Sequence, residues 1–132
     1  MTGEELIAQF ESSATPADGF HHADHVRLAF EYLCRYPALE ALEGFSDALK
    51  RFAAAQGKAE RYHETITWAY LLLVRERMAR ADRAQSWEEF AERNPDLLRW
   101  KGGILDRFYR KETLDSDLAR MVFLFPDLIG LS

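Results

Sequence analysis

The chain has 132 residues, with 17 Lys and Arg against 22 Asp and Glu, a net charge of −5 and 48% hydrophobic residues. This length and composition fit one globular domain with one core and exclude disordered, collagen-like and disulfide-scaffold proteins. The negative charge argues against nucleic-acid and membrane partners, because both need a basic surface.

Three helices are predicted in the first part of the chain. Thr2 and Glu5 have capping-box spacing and open the first helix. Ser12–Gly19 (SSATPADG) is predicted to be a loop, since it combines Pro, Gly and small polar residues. Apolar residues at helical spacing predict a second helix from about His22 to Tyr36 and a third from about Pro37 to Gln56.

The fourth predicted helix, over about residues 59–81, is the most apolar. Its middle, Ile66–Val74, is apolar on nearly every face, which indicates a helix surrounded by other helices. Its end, Arg75–Arg83, is rich in arginine and is expected to return to solvent.

Short helices are predicted in the remainder. Ser86 and Glu89 form another capping box, and Asn94 and Pro95 repeat the pattern of a cap followed by proline. A last short helix is predicted to start near Asp115 or Ser116 and to end before Pro126. No segment alternates between apolar and polar residues. The sequence therefore predicts an all-α single domain over 1–132, with five to seven helices around a buried helix at about 59–81.

Three histidines are predicted to point into the interior. His22 and His25 continue the apolar stripe of the second helix, and His63 starts the inward stripe of the fourth. If the two helices begin side by side, the three imidazoles converge. Imidazole is a common ligand of transition metals, so this pattern predicts a site for Zn, Ni, Fe or Cu.

The surrounding residues suggest roles in metal-assisted chemistry on a small molecule. Glu64 is the candidate proton carrier for a metal-bound water, and Tyr62 is a candidate phenolic acid. Arg120 and Asp127 are candidates to close the site, either as an ion pair or by holding a cofactor or anionic ligand.

Two further interpretations of the histidines remain open. They could form a metal-free polar or acid–base pocket, or they could have a plain structural role, as core residues with satisfied hydrogen bonds or as N-caps whose rings accept a backbone N–H. If the histidines bind no metal, the protein is a helical binding or oligomerisation module. The apolar tail Phe123–Leu131 would then pack on its own core or on a second copy.

The expected compartment is the cytoplasm. Cys34 is the only cysteine, so no internal disulfide forms, and Met1–Glu5 does not resemble a signal peptide. The longest apolar run is far shorter than the roughly 20 residues of a membrane span.

Three motifs resemble those of a group of short, uncharacterised bacterial helical proteins. The first two are Phe-x-His-x-x-His at 20–25 and Tyr-His-Glu-Thr at 62–65, and the third is Ala-Arg…Pro-Asp, formed by residues 119, 120, 126 and 127. The resemblance spans about residues 20–127 and implies that His22, His25 and His63 belong to one site. It implies no particular activity.

Overall fold

A computed structural model describes residues 1–12 and 21–128, and within these ranges it contains seven α-helices and no strand. The helices are α1 (Gly3–Glu11), α2 (His22–Arg35), α3 (Ala38–Ala55), α4 (Glu64–Arg80), α5 (Trp87–Arg93), α6 (Lys111–Leu114) and α7 (Asp117–Met121). The same ranges contain three 3₁₀ turns, at Ala59–Arg61, Pro95–Leu98 and Ile104–Arg107. The predicted all-α fold is confirmed. Most of the predicted loop, from residue 13 onward, lies outside the described residues.

Local capping fixes the starts of several helices. The Thr2 hydroxyl accepts the Glu5 backbone N–H at 3.1 Å, and Ser86 caps Glu89 at the same distance. Both capping boxes are therefore confirmed. Helix α3 ends before Gly57, whose φ of 70° lies in the left-handed region that glycine adopts without strain.

The fourth helix begins later than the sequence predicts. It starts at Glu64, and residues 59–61 form a separate 3₁₀ turn. The break arises because the His63 ring accepts the backbone N–H of Ile66, which makes His63 the N-cap. The helix packs against α2, α3 and α7, but Leu72 is 43% exposed, so one face is open.

The chain after α7 is held against α4 through one buried hydroxyl. Thr65 Oγ1 lies 2.8 Å from the carbonyl oxygen of Ala119 and 2.9 Å from that of Val122, and it accepts the Leu124 N–H at 3.1 Å. This part of the apolar tail therefore packs on its own core, whereas Phe125 is 82% exposed. Within the described ranges, no helix is long and apolar enough to cross a membrane.

Candidate functional site

A cavity of about 640 Å³ lies where α2, α3 and α4 meet. Its apolar wall comes mainly from Phe45, Leu49 and Phe52 of α3 and from Ile66 of α4. The remaining lining residues are His22, His25, Ala53, Gln56, Lys58, Arg61, Tyr62, His63, Thr67, Tyr70, Trp100 and Arg120. All three predicted histidines thus line one cavity.

Both ring nitrogens of His63 are occupied by the protein backbone. Nδ1 accepts the Ile66 N–H at 3.1 Å, and Nε2 lies 2.7 Å from the carbonyl oxygen of Leu114. An N–H can only donate and a carbonyl oxygen can only accept, so the ring is neutral with its hydrogen on Nε2. Neither nitrogen has a lone pair left for a metal.

His22 lies two helical turns away from the start of α4. Its Nε2 donates to the Leu97 carbonyl oxygen at 2.9 Å, and its ring centroid is 4.8 Å from that of Tyr70. Tyr70 follows His63 by seven residues, which corresponds to about 10 Å along a helix. The starts of α2 and α4 are therefore not side by side.

Because the two helices do not start side by side, the predicted metal site at His22, His25 and His63 is wrong. Within residues 1–12 and 21–128, no group of three or more His, Cys, Asp or Glu side chains is arranged to hold a metal ion. The three imidazoles share a cavity but do not meet at one point, and backbone groups already bind two of them.

The three imidazoles have lowered pKa values. Burial lowers the pKa of His25 to about 3, and the neighbouring His22 contributes to the shift. Burial also lowers the pKa of His22, opposed by its hydrogen bond to Leu97. For His63 burial again dominates, and Arg120 lowers its pKa further. At neutral pH the histidines therefore supply polar but uncharged groups to the cavity.

Positive charge is concentrated at one end of the cavity. Lys58 and Arg61 belong to the segment just before α4, and Arg120 lies close enough to His63 to lower its pKa. All three side chains are exposed, and none forms an ion pair within the described part of the chain. Among the described residues, no Asp or Glu lines the cavity.

The predicted pairing of Arg120 with Asp127 is not found. Asp127 accepts the Arg110 backbone N–H at 2.9 Å and the Thr113 hydroxyl, and it does not line the cavity. The two residues therefore do not close one site together.

Tyr62 and Glu64 are bound to each other. The Tyr62 hydroxyl donates to Glu64 Oε1 at 2.6 Å and lies 2.6 Å from the Ser46 hydroxyl. Burial and the hydrogen bond to Glu64 raise the pKa of Tyr62 above its usual range. Tyr62 lines the cavity and Glu64 does not, and their catalytic roles stay predictions.

Sequence reasoning did not single out Lys58, Arg61 or Trp100 as parts of the site. Trp100 is 58% exposed, and its ring centroid lies 5.2 Å from that of His22. No local signal identifies these residues, because tertiary packing brings them to the cavity from separate segments.

No protein-family model, curated protein or solved structure matches the chain. The resemblance to short bacterial helical proteins stays a prediction.

Proposed function

We propose that the protein binds a small amphipathic organic anion in the cavity between α2, α3 and α4. The observation that carries this proposal is the combination of an apolar wall with three cationic side chains at one end and no lining carboxylate among the described residues. A volume of about 640 Å³ is in the range of small-molecule sites.

Charge favours an anion over a cation or a purely apolar molecule. The chain as a whole carries −5, so the positive end of the cavity is a local feature set against the overall charge. Lys58, Arg61 and Arg120 are without ion pairs in the described ranges, so an incoming carboxylate or sulfonate displaces no existing partner.

The apolar wall requires the ligand to have a hydrophobic body. Phe45, Leu49, Phe52 and Ile66 offer surface that gains free energy by covering apolar groups, about 25 cal/mol for each Å² removed from water. A free inorganic anion would leave this surface uncovered.

The cytoplasm is part of the same proposal. Cys34 is the only cysteine and is exposed, and an exposed free thiol is best preserved in a reducing compartment.

Two fluorescent probes that differ by one charged group test the proposal. 8-Anilinonaphthalene-1-sulfonate carries a sulfonate, and N-phenyl-1-naphthylamine has the same ring system without it. For each protein, the ratio of the two dissociation constants isolates the contribution of the anionic group. We expect the preference for the sulfonate probe to fall by roughly twofold to thirtyfold in the Arg61→Gln/Arg120→Gln double variant, since each exposed charge contributes about 0.2–1 kcal/mol.

Arg80→Gln is the matched control, because Arg80 is exposed on α4 but does not line the cavity. It should retain the wild-type ratio. An equal ratio in the wild type and the double variant would show that the cationic end does not select the ligand. Added salt should weaken the preference of the wild type for the sulfonate probe, because the cationic side chains at the end of the cavity are exposed.

A further inference from the structure

Tyr70 lies at the end of the cavity opposite the cationic residues, and its hydroxyl has no hydrogen-bond partner among the residues that the structure describes. Tyr70 is 5% exposed and lines the cavity. Within residues 1–12 and 21–128, its hydroxyl forms no hydrogen bond. Most buried polar groups are paired, because an unpaired one loses its hydrogen bonds to water without replacement.

The Tyr70 hydroxyl is a permanent donor. Burial, with a contribution from Asp106, raises the pKa of Tyr70 to about 12. The group therefore keeps its hydrogen at physiological pH and does not become a phenolate. Its preferred partner is an uncharged acceptor such as a carbonyl oxygen, because no cation lines this end to stabilise a buried anion.

Three aromatic rings line this end of the cavity, those of His22, Tyr70 and Trp100. The His22 and Tyr70 rings meet edge-on, and the Trp100 ring centroid lies 5.2 Å from that of His22. The segment carrying Trp100 passes close to Tyr70: a Cβ at Gly103 would lie 3.3 Å from the Tyr70 hydroxyl and 2.8 Å from the Arg99 carbonyl oxygen. An aromatic group of a ligand packs favourably against the faces or edges of such rings.

The two ends of the cavity are separated along α4. Arg120 acts on His63 at the start of the helix, and Tyr70 lies seven residues further along, at about 10 Å. The wall between them is apolar, since it includes Ile66 and Leu49. One ligand of that length reaches both ends.

We infer that the ligand is an aromatic carboxylate with an uncharged carbonyl acceptor at its far end, which accepts a hydrogen bond from Tyr70. This inference rests on the proposed function and adds to it a second polar contact, a length and an orientation. The carboxylate lies beside Arg120, and the carbonyl oxygen lies beside the Tyr70 hydroxyl.

Two biphenyl acids that differ at one position test the inference. 4′-Acetylbiphenyl-4-carboxylate carries a carbonyl at the end remote from its carboxylate, and 4′-ethylbiphenyl-4-carboxylate has a methylene in its place. Calorimetric titration of the wild-type protein should show the acetyl compound binding roughly threefold to tenfold more tightly, the effect of one neutral hydrogen bond. The Tyr70→Phe variant should bind both compounds equally, with the affinity for the ethyl compound unchanged.

Tyr109→Phe is the matched control. The Tyr109 hydroxyl donates to the Leu124 carbonyl oxygen at 2.7 Å and does not line the cavity. This variant should keep the preference for the acetyl compound. Because Tyr70→Phe removes an unpaired hydroxyl, it should also leave the urea midpoint of unfolding at or above the wild-type value.

The outcomes separate this inference from the proposed function. Equal binding of the two acids to the wild type would refute the role of Tyr70. Binding of anilinonaphthalene sulfonate without binding of either biphenyl acid would refute the inferred length and leave the proposed function standing. If the sulfonate preference is also absent, the proposed function fails with the inference.

Discussion

His63 provides the sharpest test of why the histidines are buried. Replacing it by alanine removes the acceptor for the Ile66 N–H at the start of α4 and the donor to the Leu114 carbonyl oxygen. Loss of an N-cap costs about 1 kcal/mol, and loss of a neutral hydrogen bond costs about the same. We therefore expect His63→Ala to lower the free energy of unfolding by about 2 kcal/mol.

His63→Asn separates the two contributions. Asparagine is among the best N-cap residues, so its side chain can accept the Ile66 N–H, but it is too short to replace the ring at Leu114. This variant should recover about 1 kcal/mol of the loss. Urea unfolding followed by circular dichroism measures all three proteins, and the same titrations with zinc chloride test for a metal.

Two results would refute this reasoning. One is an alanine variant within about 0.5 kcal/mol of the wild type, because the two hydrogen bonds would then contribute nothing measurable. The other is a zinc-dependent rise in the stability of the wild type that both variants lose. That result would restore the metal site that the ring geometry contradicts.

Three further predictions concern pH, the C-terminal segment and self-association. His25 has a folded pKa of about 3 against about 6.5 unfolded, so stability falls as pH drops below 6.5, by about 1–2 kcal/mol at pH 5. His25→Asn should flatten this decline in urea titrations, and an unchanged slope contradicts the shift. Thr65→Val should cost about 1–3 kcal/mol and speed proteolysis within residues 115–128, because three backbone groups lose a shared partner. Phe125 lies on an apolar groove beside Arg75 and Glu76, and Glu76 can exchange its present partner Arg80 for Arg75 of a second copy. Sedimentation should show a dimer that Phe125→Ser dissociates, and a concentration-independent wild-type monomer would rule it out.

The parts of the fold predicted correctly depend on residues close together in sequence. The capping boxes of Thr2 and Ser86 need only the residue three positions later. The first helix is likewise local, and it buries Leu6, Ile7 and Phe10, which share one helical face. Local chemistry is sufficient for such features.

The start of α4 shows where local signals fail. His63 is not among the residues that commonly cap helices, so the apolar periodicity alone predicts a helix that starts at about residue 59. Its ring caps Ile66 because Leu114, 51 residues away, holds the other nitrogen. A helix boundary fixed by so distant a contact cannot be predicted from spacing alone.

The predicted metal site failed for a related reason. Periodicity determines which face of a helix a residue occupies, but it does not determine how far one helix is shifted along its neighbour. His22 and His63 do lie on inward faces, as predicted, and both line the cavity. The shift that places His22 beside Tyr70 comes from the packing of α2 against α4 and against Leu97.

The shift of α2 along α4 also determines the orientation expected of the proposed ligand. Because His22 lies beside Tyr70, one end of the cavity holds an imidazole with a lowered pKa and a hydroxyl that stays protonated. An anion placed there would lose its hydration without gaining a cation. At the other end, Arg61 and Arg120 attract an anion while water still reaches it. Burying the charged group of the ligand at the end that holds Tyr70 would cost more free energy than burying its uncharged group there. The proposed ligand is therefore expected to enter with its uncharged end first.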